Sequence, residues 1–238
     1  MSHGKVAKAK AQLLRQGRVS KAKSTLVAGA AANKKEEEDN FMDRLGAFEG
    51  TKHHKSLEGG RDTQAFGIKF SEGLTKKAGE GSKDFAARVV DKHRDKVKKK
   101  VGDKEWASLS PGVRSAVLDL KFNVGSLGSK LISAVKTGGD PKSVMLETLD
   151  TVRSTMLSDK GDFKKGDKVV SPGLAKRRAA GWNLAFPERK IEEVVFEEKG
   201  SRTKVTYLAD DGEVFSYSTK GSVSTDFKTK TGDTTIEI

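Results

Sequence analysis

The sequence predicts an α+β protein: a mainly helical domain with a small β-hairpin sheet, preceded by a basic N-terminal arm and followed by an antiparallel β-module. Three observations carry this. Three stretches begin with a capping residue followed by proline, Ser110-Pro111, Asp140-Pro141 and Ser171-Pro172, the signature of a helix start. After Pro187 the apolar residues recur at every second position between turn residues, the pattern of half-buried strands. Between them, Phe48 to Phe70 joins a helix end to a polar, Gly-containing segment that closes on Ala65-Phe66-Gly67-Ile68, apolar enough for a buried strand. The expected boundaries are 1–40 for the arm, 41–187 for the helical domain with its hairpin at 57–70, and 188–238 for the β-module.

Residues 1–35 hold nine Lys/Arg and no acid, and residues 36–39 are all acidic. The first stretch reads either as an arm that docks on a partner protein or packaged nucleic acid, or as a disordered basic tail. A helical run follows, Asn40 to Phe48, ending on Glu49-Gly50. Ser82 is the expected N-cap of the next helix, with Asp84 in its first turn and Lys98-Lys99-Lys100 near its end at Gly102. The Ser110 helix is the most apolar, through Val113, Val117, Leu120, Phe122 and Val124, and is expected nearly buried at the centre of the lobe. Leu131 to Val135 restarts a short helix. The Asp140 helix is expected to run through Val144, Leu146, Leu149, Val152 and Met156, with Ser158 to Val170 as a loop. The last helix carries Leu174, Ala175, Ala179, Trp182 and Leu184, with Lys176-Arg177-Arg178 on the other face. The period-2 runs are Ile191 to Glu197, Thr203 to Leu208, Glu213 to Tyr217, Val223 to Lys228 and Thr234 to Ile238, four or five strands in all.

Composition narrows the function. The net charge of +13 falls mostly on residues 40–187, which favours polyanionic partners: nucleic acid, lipid headgroups or the anionic bacterial cell wall. There is no cysteine, hence no disulfide framework or thiolate chemistry. No apolar run reaches membrane-spanning length, and the N-terminus lacks the apolar core of a secretory signal. The Gly-rich stretch at 71–81 lacks the order of a phosphate-binding loop, and no cluster has metal-ligand spacing, so no cofactor or metal is expected.

The carboxylates of the Phe48–Phe70 stretch point to acetal cleavage, which needs one protonated carboxyl for the leaving oxygen and a second group to support the cation-like carbon or position water. Glu49 stands at the helix end; Glu58, Asp62 and Thr63 stand on the hairpin. A Glu before a C-cap glycine is also an ordinary solvated residue. His53 and His54 between them are either solvated loop residues or substrate contacts.

Three blocks in order resemble the phage-type lysozymes, glycoside hydrolase family 24, the lambda- and T-even-type endolysins. Phe48-Glu49-Gly50 with Asp62-Thr63-Gln64-Ala65-Phe66-Gly67 is similar to the family's E-G…D…T-x-G-x-G. Ser110 to Gly125 is similar to its central buried helix ending in F-N-x-G. Gly173-Leu174-Ala175-Lys176-Arg177-Arg178 is similar to the G-L-x-x-R-R of its final helix. The resemblance covers 41–186. It implies a lysozyme-like fold and a muramidase that cleaves peptidoglycan, with Glu49 as general acid, Glu58 as second acid and Thr63 holding water. Glu58 stands where the family has Asp, and the hairpin is one residue shorter, so Asp62 is the alternative second carboxylate. Ala65 replaces a family glycine, and Gly181 stands where related helices often have an acid. Asn123 either supports the cleft floor and so the substrate, or is an ordinary C-cap. The family's lytic transglycosylase branch, which lacks the second acid, is the alternative activity. A catalytically dead lysozyme-like fold serving as a structural or nucleic-acid-binding virion protein is a further one. The resemblance supplies a bacteriophage setting. The arm and β-module, extra to the chemistry, point to docking on other virion proteins and use during genome entry; a late endolysin in the host cytoplasm is the alternative.

Overall fold

The computed structural model describes residues 32, 34–43, 77–138, 140–155, 163–224 and 234–238. The protein is of the α+β class. A helix α1 over 34–43 leads the described body. It is followed by α2 (Ser82–Val101), α3 (Asp103–Ser108), α4 (Pro111–Val124), α5 (Ser129–Lys136) and α6 (Pro141–Leu149). Two short strands come next, β1 (Arg153–Thr155) and β2 (Lys168–Val170), then α7 (Pro172–Ala185) and β3 to β6 (Ile191–Lys199, Arg202–Ala209, Val214–Lys220, Thr234–Glu237). The expected hairpin at 57–70 lies outside the described residues. Among those described, no helix is long and apolar enough to cross a membrane.

The three proline-led helices start where their caps place them. Ser110 Oγ accepts from Val113 N at 3.4 Å, Asp140 from Lys142 N at 3.2 Å and Ser171 Oγ from Leu174 N at 3.3 Å. Each side chain satisfies one backbone donor that a helix start leaves without an intrahelical partner. Helix α2 begins differently from expectation. Its N-cap position is Gly81 and Ser82 is its first residue. The start is fastened by Glu80, which accepts from Arg88 at 2.9 and 2.7 Å and from Lys77 N at 2.8 Å. Those bonds hold the Glu80 carboxyl down at about 2, with the Arg88 hydrogen bond the largest cause. Helix α3, too short to show a period, seats Trp106 in the core.

Helix α4 is the centre of the helical lobe, buried on every position from Gly112 to Lys121. It touches α2, α6 and α7, and α7 most extensively. The two helices approach so closely that a Cβ on Gly112 would stand 2.6 Å from the Leu184 carbonyl oxygen, which only glycine permits.

Helix α6 stops at Leu149, short of the expected Met156. Val152 is buried, as its spacing suggests, but it reaches the core from the entry to β1, which pairs antiparallel with β2 (Arg153↔Val170, Thr155↔Lys168). A run containing Thr151, Val152 and Thr155 is β-branched, and helical spacing alone does not separate the two outcomes. Met156 lies outside the described residues, and the expected loop to Val170 ends in β2.

After Pro187 the four-stranded sheet has the order β5-β4-β3-β6, all antiparallel. The expected runs at 191, 203, 213 and 234 become β3 to β6. Within the run expected at Val223, Val223 bridges to Val170 of β2, and residues 225–230 lie outside the described residues. The sheet's inner face, Val194, Phe196, Val205 and Tyr207, is fully buried and belongs to the same apolar cluster as the helices. Tyr207 donates its hydroxyl to the Leu149 carbonyl at 2.9 Å, Tyr217 to that of Leu146 at 3.1 Å.

Tyr207→Phe should lower the unfolding free energy by about 1–2 kcal/mol, because the Leu149 carbonyl is left buried without that donor; half-buried Tyr217→Phe should cost less. Denaturant titration reads both. Burial pushes both phenols above their ordinary value of 10.0. The unfolded chain ionises first, so their contribution is whole below pH 10 and is lost as pH rises beyond it. Phenolate absorbance of these two tyrosines, the whole complement of the chain, should therefore appear together with loss of circular dichroism.

Candidate functional site

Of the residues singled out for chemistry, Glu49, Glu58, Asp62 and Thr63 lie outside the described residues, as do His53 and His54. Asn123 is described, at the last turn of α4 beside the left-handed C-cap Gly125. Its side chain is not simply a cap. Its Oδ1 accepts a 2.8 Å hydrogen bond from Arg178 Nη2 of α7.

That bond belongs to a buried network. Asp119, one turn before Asn123 on α4, is wholly buried. Arg177 Nη2 donates to its Oδ1 at 2.7 Å, and Arg177 Nε sits 3.0 and 3.1 Å from the two oxygens. Arg178 Nη1 donates to Oδ2 at 3.2 Å, and Arg178 Nε to the Thr151 carbonyl at 3.2 Å. The planar guanidinium fork suits this geometry, since several donors reach one carboxylate without rotation. The expectation that Lys176-Arg177-Arg178 forms a solvent face is corrected: Lys176 alone is exposed, while Arg177 and Arg178 are 4% and 2% exposed. Burial of two cations is made possible by Asp119, a residue the sequence analysis passes over. The available signal was an acid inside the apolar run Val117-Leu118-Asp119-Leu120, since Asp is seldom fully buried unless paired.

Helix α1 arrives at the same end of α4. Glu37 meets Arg114 near the start of α4, and Phe41 packs edge-on against Phe122 near its end, ring centres 6.1 Å apart. The helix crosses position 40, so arm and body are joined by one continuous turn. His93 of α2 lies against the other side of Phe122, 5.6 Å away.

A separate shallow cleft is lined by Asp140, Lys142, Trp182, Phe186, Glu188 and Arg189 and holds none of the predicted residues. Its cations are paired, Lys142 with Glu213 and Arg189 with Asp211, and Trp182 is buried and donates to the Arg189 carbonyl at 2.7 Å. Among the described residues no group of three or more His, Asp or Glu could hold a metal. No family model, curated protein or solved structure matches the chain.

Asp119→Ala leaves two buried guanidiniums without their shared carboxylate. Losing one partner of a buried ion pair costs about 3–5 kcal/mol, so thermal denaturation should show the variant strongly destabilised. Arg178→Lys, which keeps the charge but loses the fork, should be intermediate.

Proposed function

We propose that the chain is a peptidoglycan-cleaving muramidase of the phage-lysozyme type, carried in the virion and used to open the cell wall during genome entry. The observation that supports this best is the meeting of the resembling stretches at the C-terminal end of α4. Asn123, from the F-N-x-G block, is bonded to Arg178, from the G-L-x-x-R-R block, though the two lie 55 positions apart. The E-G block follows α1, whose Phe41 ring rests on Phe122 beside Asn123. An extended chain spans at most about 3.5 Å per residue, so Glu49, six residues past Asp43, is tethered within about 20 Å of the end of α1.

In this reading Glu49, kept protonated by burial, gives its proton to the glycosidic oxygen. Glu58 or Asp62 stays ionised and stabilises the oxocarbenium-like carbon or positions water, with the Thr63 hydroxyl holding that water. Asn123, held by Arg178, supports the floor of the cleft. The basic body draws the enzyme to anionic peptidoglycan. The N-terminal arm and the sheet are extra to this chemistry, and serve attachment to other virion proteins. The nine bases of the first 35 residues favour a second reading, a lysozyme-like fold without activity that binds nucleic acid; such binding would weaken steeply with salt.

Purified protein should solubilise peptidoglycan sacculi, and Glu49→Gln should reduce that activity by at least about a hundredfold, the upper range for one general acid. Full activity in the variant overturns the site. Mass spectrometry of the products separates the chemistries: reducing ends mark a hydrolase, anhydro-muramic ends a lytic transglycosylase. Detection of the chain in purified phage particles supports the virion setting. Its absence there, with tight binding of the sheet-bearing region to sacculi, favours a late endolysin.

A further inference from the structure

One member of the acidic run Glu36-Glu37-Glu38-Asp39 is unlike the rest. Glu37 is 1% exposed while its neighbours face outward or lie half-covered. Its Oε1 accepts from Arg94 Nε of α2 at 2.5 Å, and its Oε2 lies 3.1 Å from Arg114 Nε of α4. Arg94 also donates to Asp91 and, at 3.2 Å, to Glu38. Burial works against the Arg94 charge, yet the bond and charge of Glu37, with Asp91 and Glu38, hold its pKa above the ordinary value.

A carboxylate is an expensive way to seat a helix, because its desolvation offsets most of what the pairing returns, and an apolar side chain would serve as well for burial alone. Two cations from two helices do something an apolar contact does not: they fix the position and plane of the carboxylate. Four residues on, Phe41 makes the second attachment, edge-on to Phe122. Fixed at two points, α1 has a set direction; held by the ring alone, it would be free to pivot. The direction matters because the chain leaves α1 toward Glu49.

We infer that Glu37 is a positioning residue for the proposed glycosidase: by anchoring α1 to Arg94 and Arg114 it sets where the chain departs for the general acid. This rests on the proposed function, and on Glu49 as the acid. Small displacements of a reacting group are enough to lower a rate by about two orders of magnitude.

The test uses the full chain. In Glu37→Gln, kcat per folded molecule should fall about tenfold or more with KM within about twofold. The basic limb of the pH profile of kcat/KM should move, since a displaced acid titrates in a changed setting; a mere loss of folded protein does not move it. Hydrogen exchange should quicken in peptides covering 34–50 and stay unchanged over α6 and α7. Glu37→Asp keeps the charge but withdraws it by one methylene, and should fold and show the same pattern in smaller measure, covering the case in which the Gln variant unfolds. Unchanged pH profile and unchanged exchange over 34–50 overturn the inference. A wild-type chain that leaves peptidoglycan intact overturns the glycosidase reading instead, and the exchange over 34–50 then decides the role of Glu37 by itself.

Discussion

One carboxylate governs how this molecule is assembled. Asp119 sits on the most buried helix and receives two arginines from α7. An apolar interface between α4 and α7 would tolerate rotation or sliding by a residue. A buried carboxylate that must meet two adjacent guanidiniums tolerates neither, because each misplaced register leaves a charge in the core without its counterpart. The close passage at Gly112 sets the spacing of the same two helices at their other contact, where the Leu184 backbone approaches. Register and distance are thus fixed by different residues, one polar and one without a side chain.

The same device recurs on the other flank of α4, where Glu37 joins α1 to Arg94 and Arg114. Around α4 the core is therefore a layered object: apolar packing through Val113, Val117, Leu118 and Leu120 supplies the burial, and two ion clusters supply direction. On the far side of the lobe the sheet is joined through neutral groups. Tyr207 and Tyr217 reach carbonyls in the last turn of α6, and the Asn183 amide bonds both backbone groups of Ile191 at 2.7 and 2.9 Å. These are bonds that satisfy carbonyls a helix end would otherwise leave without a partner.

What the sequence makes legible is what local chemistry controls. A capping hydroxyl and a proline act within one turn, so the starts of α4, α6 and α7 can be read directly, and alternation with Asp210-Asp211-Gly212 between marks β4 and β5. Ends are harder: Val152 has the spacing of a helix residue and is buried, but from an extended backbone. Least legible are the polar groups of the site. Nothing near Arg177 or Arg178 announces a partner 58 or 59 positions upstream, so two core residues look like part of a charged surface. Asn123 is picked out by its motif, but the arginine that holds it is evident only once α4 and α7 are side by side.

The distance along the chain between Asp119 and its arginines also sets a schedule for synthesis. A ribosome adding ~5–20 residues per second takes roughly 3–12 seconds to pass from one to the other. During that interval α4 has left its template without the helix that neutralises its carboxylate and covers its apolar surface. The sheet that closes the lobe through Tyr207 is made later still. The centre of the protein is thus among its earlier parts to be made and among its last to be enclosed, and the nascent chain spends that time with its stickiest helix open to other chains.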